Sequence, residues 1–168
     1  MTRTGIGYDS HRFGPGSALR LGGVTIPFDK ALTGHSDGDA VAHAVTDAVL
    51  GAAAAGDIGH HFPDTDPANK GRDSMLMLRQ AVAAARERGW TVEFVDVTVI
   101  AERPKLAPHR AAMCAALAAA LGLEPHAVSV KGKTNEGMGW IGRGEGIACV
   151  AVATLRGPGA LRDATRAR

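Results

Sequence analysis

Residues 35–45 read HSDGDAVAHAV, two histidines and two aspartates set against a run of alanine and valine. Acids and imidazoles packed this densely are costly unless a positive charge or a helix terminus sits among them. From Asp39 onward, Val41, Val45, Ala48, Val49 and Ala52 recur at helical spacing, so the stretch is the entrance to a helix reaching about residue 54. Ser36 or Asp37 is the expected cap. Asp39, His43 and Asp47 are spaced four apart and form one polar stripe, placed roughly opposite the valine stripe that faces the core.

Working outward, residues 3–13 alternate as a strand, with Ile6 and Tyr8 on one face and Asp9, His11 and Phe13 on the other. LRLGGVTIPF (19–28) carries a Gly-Gly pair between short apolar runs, a hairpin signal. DIGHHFPDTDPANKG (57–71) has two prolines, glycines and acids without periodicity and is expected as loop. A second helix follows, capped by Asp73 or Ser74, with Met75, Leu78 and Val82 inward and Gly89 past its end. TVEFVDVTVIA (91–101) is a strand, and Pro108 opens a third helix that Gly122 closes. AVSVK (127–131) and GIACVAVATL (146–155) are strands separated by a glycine-rich loop. The last strand is apolar on both faces, so helices cover one side and another subunit is expected on the other. The sum is an α+β fold: a single mixed sheet of about four main strands with helices on one face, plus a small hairpin.

The chain of 168 residues fits one domain, here 1–156, with a disordered tail expected over 157–168. Nineteen Lys and Arg against 17 Asp and Glu leave a net charge of +2, and no basic stripe interleaved with aromatics marks a nucleic-acid partner. Cys114 and Cys149 stand alone in apolar runs and read as reduced core thiols. No apolar run approaches the ~20 residues of a membrane span, and the first ten residues lack a signal core; a cytoplasmic protein without a membrane partner is expected.

Asp9, His11 and His43 together offer a carboxylate and two imidazoles, the kind of donor set with which catalytic zinc keeps a fourth position open. Asp47, one turn beyond His43, is placed to accept the proton of the ring nitrogen not facing a metal. Spacing alone leaves a second reading open: a helix-surface histidine beside an ordinary strand pair. His35 and Ser36 precede the helix, where free N–H groups favour an anion; a phosphate cradle and a plain capping loop are equal readings there.

Three segments in this order, YDSH (8–11), HSDGDAVAHAVTDAVLGAAAAGDIGHHFPDTDP (35–67) and KTNEGMGWIGRGEGIA (133–148), change the weighing. The chain resembles the 2-C-methyl-D-erythritol 2,4-cyclodiphosphate synthase family of the non-mevalonate isoprenoid pathway, from about Gly5 to Leu155. The resemblance implies a homotrimeric α+β enzyme with active sites between subunits. It implies a lyase reaction in which the 2-phosphate of 4-diphosphocytidyl-2-C-methyl-D-erythritol 2-phosphate attacks the β-phosphorus and expels CMP. It implies Asp9, His11 and His43 as zinc ligands and Glu136 as the ligand of a second ion, magnesium or manganese. His35 and Thr134 match residues of transition-state stabilisation, and Ser36 lies on the phosphate side with Ser10 among the substrate contacts.

By the same resemblance Asp57, Ile58 and Gly59 form a ribose corner. Phe62, Pro63, Asp64, Thr65 and Asp66 form a flap over the methylerythritol unit. Ala101, Glu102 and Arg103, with Pro104, Lys105, Leu106 and Ala107 after them, match a cytidine pocket contributed across the subunit interface. Lys133, Asn135, Trp140 and Arg143 complete the contacts. Lys133 stands where many relatives carry threonine, and Trp140 where phenylalanine is usual. The family's channel along the three-fold axis, near Arg143 and Glu145, implies an isoprenoid diphosphate as a further ligand; Arg143 and Glu145 simply pairing across the loop is the plain alternative. From the residues alone, a zinc-dependent phosphohydrolase and a non-catalytic trimeric nucleotide-binding module remain the competing functions.

Overall fold

The computed structural model describes residues 1–157; all of the expected tail except Gly157 lies outside the described residues. Strand β1 (Thr2–Gly14) is followed by the hairpin β2 (Ala18–Leu21) and β3 (Val24–Pro27), then the short β4 (Ala31–Thr33). Helix α1 (Ala40–Ala52), the single turn α2 (Ile58–His61) and α3 (Ser74–Glu87) come next. Strand β5 (Thr91–Ile100), α4 (Arg110–Leu121), β6 (Val128–Lys133), the turn α5 (Gly139–Gly142) and β7 (Gly146–Arg156) complete the chain.

The main sheet has five strands, ordered β4–β1–β7–β5–β6, beside the two-stranded β2–β3 sheet. One more strand is present than the alternation announces, because β4 spans only three residues and is too short to show a period. Pairing is antiparallel except between β5 and β6, which α4 connects as a crossover. The Gly22–Gly23 pair turns the β2–β3 hairpin with both residues at positive φ, 57° and 76°. The 57–71 segment is not all loop: α2 and a 3₁₀ turn at Pro67–Asn69 interrupt it, each capped by an aspartate, Asp57 and Asp66.

Helices α1, α3 and α4 form one layer on the sheet. Helix α1 lies very close to β1, because Gly5 and Gly7 expose bare backbone to it. A Cβ on Gly7 would stand 1.9 Å from the Ala44 carbonyl oxygen, and one on Gly5 2.2 Å from that of Ala48. This approach brings His43 down onto the stretch of β1 that carries Asp9 and His11.

Helix α1 is not amphipathic in the expected way. Every residue but Asp47 and Gly51 is buried, and Asp39 is fully buried rather than on a solvent stripe. Asp39, not Ser36 or Asp37, is the cap, accepting the Ala42 N–H at 3.0 Å. Its two oxygens also accept the Gly22 and Gly23 N–H groups at 2.8 and 2.7 Å, tying the hairpin to the helix. Burial raises the Asp39 carboxyl above its usual range against the pull of these N–H donors. Asp73 caps α3 through the N–H groups of Met75 and Leu76.

On β7 the residues under the helices, Ile147, Cys149, Ala151, Ala153 and Leu155, are fully buried. The opposite sheet face is open in the single chain: Ile6 is 71% exposed, Tyr8 58% and Phe94 41%. No helix among the described residues is long and apolar enough to cross a membrane.

Candidate active site

Strand alternation places Asp9 and His11 together on the α1 side of β1. Asp9 Oδ2 lies 3.1 Å from His43 Nδ1 and 3.2 Å from His11 Nε2, and the two ring nitrogens are 3.1 Å apart. Among the described residues this is the one group of three such side chains with mutually converging donor atoms. Zinc with bonds near 2.0–2.1 Å in tetrahedral array separates its donors by roughly 3.3 Å, so this triangle fits such an ion with one position open. Burial lowers the His11 imidazole, with Asp9 pulling the other way and His43 adding to the lowering. A neutral imidazole is the form that offers a lone pair to a metal.

The far nitrogen of His43 does not meet Asp47. Asp47 accepts the Ile58 N–H at 2.7 Å and so joins α1 to α2. His43 Nε2 instead stands 2.8 Å from Ser74 Oγ and 2.9 Å from Ser36 Oγ. Ser74 is the first residue of α3, fully buried, and its hydroxyl donates to Asp37. Ser74 was legible only as a capping candidate; nothing in its local pattern announces a partner 31 residues away.

The triad opens into a cavity of about 360 Å³ lined by His35, Ser36, Ile58, Gly59 and Phe62, with Pro63 and Asp64 at its edge. The expected ribose and flap segments thus border the donor cluster in one chain, with Asp57 spent on capping α2 through His60 N–H at 2.8 Å. Thr65 and Asp66 are exposed and do not line the cavity; Asp66 accepts the Ala68 N–H at 2.9 Å. Arg72 braces the flap: it stacks over Phe62 at 5.2 Å and donates to Asn69 Oδ1 at 2.7 Å and Gln80 Oε1 at 2.8 Å.

A separate hollow of about 240 Å³ lies beyond the ends of β5 and β6, lined by Ala101, Pro104, Lys105, Leu106, Lys133 and Thr134. Ala107 and Glu102 also border it, whereas Arg103 lies on a different hollow with Lys30 and Arg143. Glu102 is committed to the neighbouring loop: Oε1 accepts the N–H groups of Asn135 at 2.9 Å and Gly137 at 3.2 Å. Between those anchors Glu136 adopts φ of 52° and accepts a hydrogen bond from Thr134 Oγ1 at 2.9 Å. Ser10 and Trp140 share a further hollow beside His11. Arg143 pairs with Glu145 at 2.6 Å, the plain alternative for that loop.

The YgbB family model matches residues 2–156. A 2-C-methyl-D-erythritol 2,4-cyclodiphosphate synthase of Gemmatimonas aurantiaca is 61% identical over 155 residues, covering 92% of this chain and 93% of that protein. The bifunctional IspDF of Campylobacter jejuni superposes with a TM-score of 0.90 at 42% identity, over 94% of this chain and 43% of the larger protein. A solved 2C-methyl-D-erythritol-2,4-cyclodiphosphate synthase in its CDP-bound form matches at a TM-score of 0.84 and 39% identity, over 92% of this chain and all of that one.

Proposed function

The chain belongs to the YgbB family, and on that premise we propose that it converts 4-diphosphocytidyl-2-C-methyl-D-erythritol 2-phosphate to 2-C-methyl-D-erythritol 2,4-cyclodiphosphate and CMP. The observation that carries this reading is the Asp9–His11–His43 triangle with one open position, facing a cavity bordered by His35 and Ser36. In this phosphorus–oxygen lyase reaction an oxygen of the 2-phosphate bonds to the β-phosphorus as the bond from that phosphorus to the CMP oxygen breaks. Nucleophile and electrophile belong to one molecule, so holding it folded collects a large proximity advantage. The attacking oxygen is already anionic, and no protein base is required.

Asp9, His11 and His43 would hold zinc, which would supply Lewis acidity toward the phosphates, and Glu136 would hold magnesium or manganese to share the remaining charge. A lone exposed carboxylate suits magnesium, which keeps most of its waters and takes phosphate oxygens as further ligands. His35, Ser36 and Thr134 offer donors to the charge that builds on the transferring phosphoryl oxygens. Lys133 borders the second hollow and adds a cation there.

The donor triangle and the Ala101–Lys133 hollow are separate cavities on one chain, which supports a substrate bridging two subunits. The exposed Ile6, Tyr8 and Phe94 face supports a homotrimer that buries it. A cytoplasmic location accords with a small phosphorylated substrate. The CDP held by the solved relative supports the nucleotide half of the substrate assignment.

Phosphorus NMR of the protein with substrate, zinc and magnesium tests the reading. CMP and a cyclic diphosphate are expected; inorganic phosphate would establish a hydrolase instead, and an unchanged spectrum a binding module. His43→Ala abolishes turnover while the chain still folds and melts cooperatively, at a lower midpoint, and near-normal activity would remove His43 from the site.

A further inference from the structure

We propose that Asp37 and Ser74 are positioning residues that hold the proton of the His43 ring on Nε2, leaving Nδ1 for a metal ion shared with Asp9 and His11. The inference deepens the metal-centre reading and rests on it for its purpose, though not for its geometry.

Counting protons gives the direction of each bond. Asp37 is an acceptor on every side: Oδ1 takes the Asp39 N–H at 3.2 Å, Oδ2 takes the Ser74 N–H at 3.2 Å, and the Arg20 Nε stands 3.8 Å from Oδ2. With both Asp37 oxygens already accepting N–H groups, the Ser74 hydroxyl is the donor of the Ser74–Asp37 bond and spends its single hydrogen there. The Ser74 oxygen then faces His43 Nε2 at 2.8 Å with lone pairs only, and two acceptors cannot share that contact. The hydrogen between them belongs to Nε2. Nδ1 lies 3.1 Å from both Asp9 Oδ2 and His11 Nε2, so on that side the ring meets another acceptor, and it is a metal ion at the centre of the triangle that would take the Nδ1 lone pair while Nε2 keeps its hydrogen.

The remaining bond at the junction obeys the same count. Ser36 Oγ lies 2.9 Å from His43 Nε2 and 3.3 Å from Ser74 Oγ. With Ser74's hydrogen on Asp37, Ser36 is the donor of the serine–serine contact. Its hydrogen is the one hydroxyl hydrogen in the junction not bound by a carboxylate, and therefore the one able to turn into the cavity that Ser36 lines. The junction thus separates two jobs: Asp37 and Ser74 set the ring, and Ser36 stays adjustable. Ser74 is buried against α1 at the first turn of α3, so the relay is held by the packing of the two helices.

The test uses the full chain with nitrogen-15 in its histidines, first metal-free and then with zinc alone as the probe, followed by ring-nitrogen NMR and competition against a chelating dye. The zinc-loaded chain is expected to hold the ion on His43 Nδ1 and the proton on Nε2. Ser74→Ala should abolish that preference and weaken zinc binding by roughly 10–100-fold, the usual effect of losing a partner to a ligating histidine. Ser74→Thr, which keeps the hydroxyl, should retain both. Asp37→Asn provides the second variant should Ser74→Ala fold poorly: its amide nitrogen can donate to Ser74 and turn the Ser74 hydrogen toward His43, lowering zinc affinity in the same direction. Zinc on Nε2 with the proton on Nδ1 in the unaltered chain, or variants with unchanged ring shifts and zinc affinity, would overturn the proposal. A chain that takes up no zinc at all would instead sink the metal reading, whereas zinc uptake indifferent to Ser74→Ala and Asp37→Asn would sink the relay alone.

Discussion

The corner where α1 meets β1 and the loop between β6 and β7 each present a carboxylate for a cation, and they hold it by opposite means. In the corner, Asp9 sits on a central stretch of strand, and His43 on a helix whose backbone touches that strand at Gly5 and Gly7. Regular elements place these donors, and burial keeps water from competing. In the loop, Glu136 is exposed, stands at positive φ, and is held by backbone N–H groups on either side that donate to Glu102. A preformed corner suits a resident ion; an exposed carboxylate on a turn suits one that arrives with the substrate's phosphates.

Placing a methyl group in each region sharpens the contrast most. Gly7→Ala drives a Cβ into the Ala44 carbonyl and pries α1 off β1; overpacking of this kind costs about 3 kcal/mol or more. Urea unfolding should show that loss, together with loss of zinc binding. Gly137→Ala meets no atom within 4 Å, so only the strain of its φ of 74° remains, about 1–2 kcal/mol. Equal losses in the two variants would mean that the corner is not held by close approach.

Much of the corner was legible because it follows from local periods. The D-x-H alternation put Asp9 and His11 on one face, and helical spacing put His43 on α1. What the periods could not show is which tertiary partner each face meets. Asp47 stands one turn beyond His43 and looks like its orienter, yet the ring turns toward α3 while Asp47 turns toward the Ile58 N–H. Helix angles put Asp39 on the polar stripe opposite the valines, because they do not reveal a hairpin docking on the cap. The 133–145 loop has no period, so Thr134 and Glu136 were reachable only through resemblance to a family.

The second contrast is in metal demand. Replacing Glu136 with Gln should raise the magnesium concentration for half-maximal activity about tenfold, equivalent to about 1.4 kcal/mol, while zinc affinity stays constant. An unaltered magnesium dependence would take Glu136 out of cation binding. Glu102 is expected to act one step removed. Ala at this position leaves two N–H groups without their acceptor, and kcat/KM should fall about tenfold, at the weaker end of the ~1.5–3 kcal/mol of bonds to charged groups. Gln keeps an acceptor oxygen and should restore most of the rate. If Gln is as damaging as Ala, the charge of Glu102 rather than its grip on the loop is what matters.

The smallest effect separates the regions by pH. Burial lowers His11, so in the metal-free chain the unfolded state takes up a proton at pH near 6.5 that the folded state refuses. Stability from this group is therefore present above that pH and is lost as pH falls toward the lower folded value, where the folded state is protonated as well. One proton sets the steepest possible slope at about 1.4 kcal/mol per pH unit, and the real slope is shallower because His11 is not wholly enclosed. Comparing urea midpoints of the metal-free chain and His11→Asn between pH 7.5 and 5.5 isolates it, with the variant losing less than the parent. Zinc would widen the window: an ion competing with protons for the His11 ring holds the folded state deprotonated to lower pH, and the slope steepens. If the parent and the variant run parallel across that range, the corner is wetter than its packing indicates, and the contrast with the loop narrows to geometry alone.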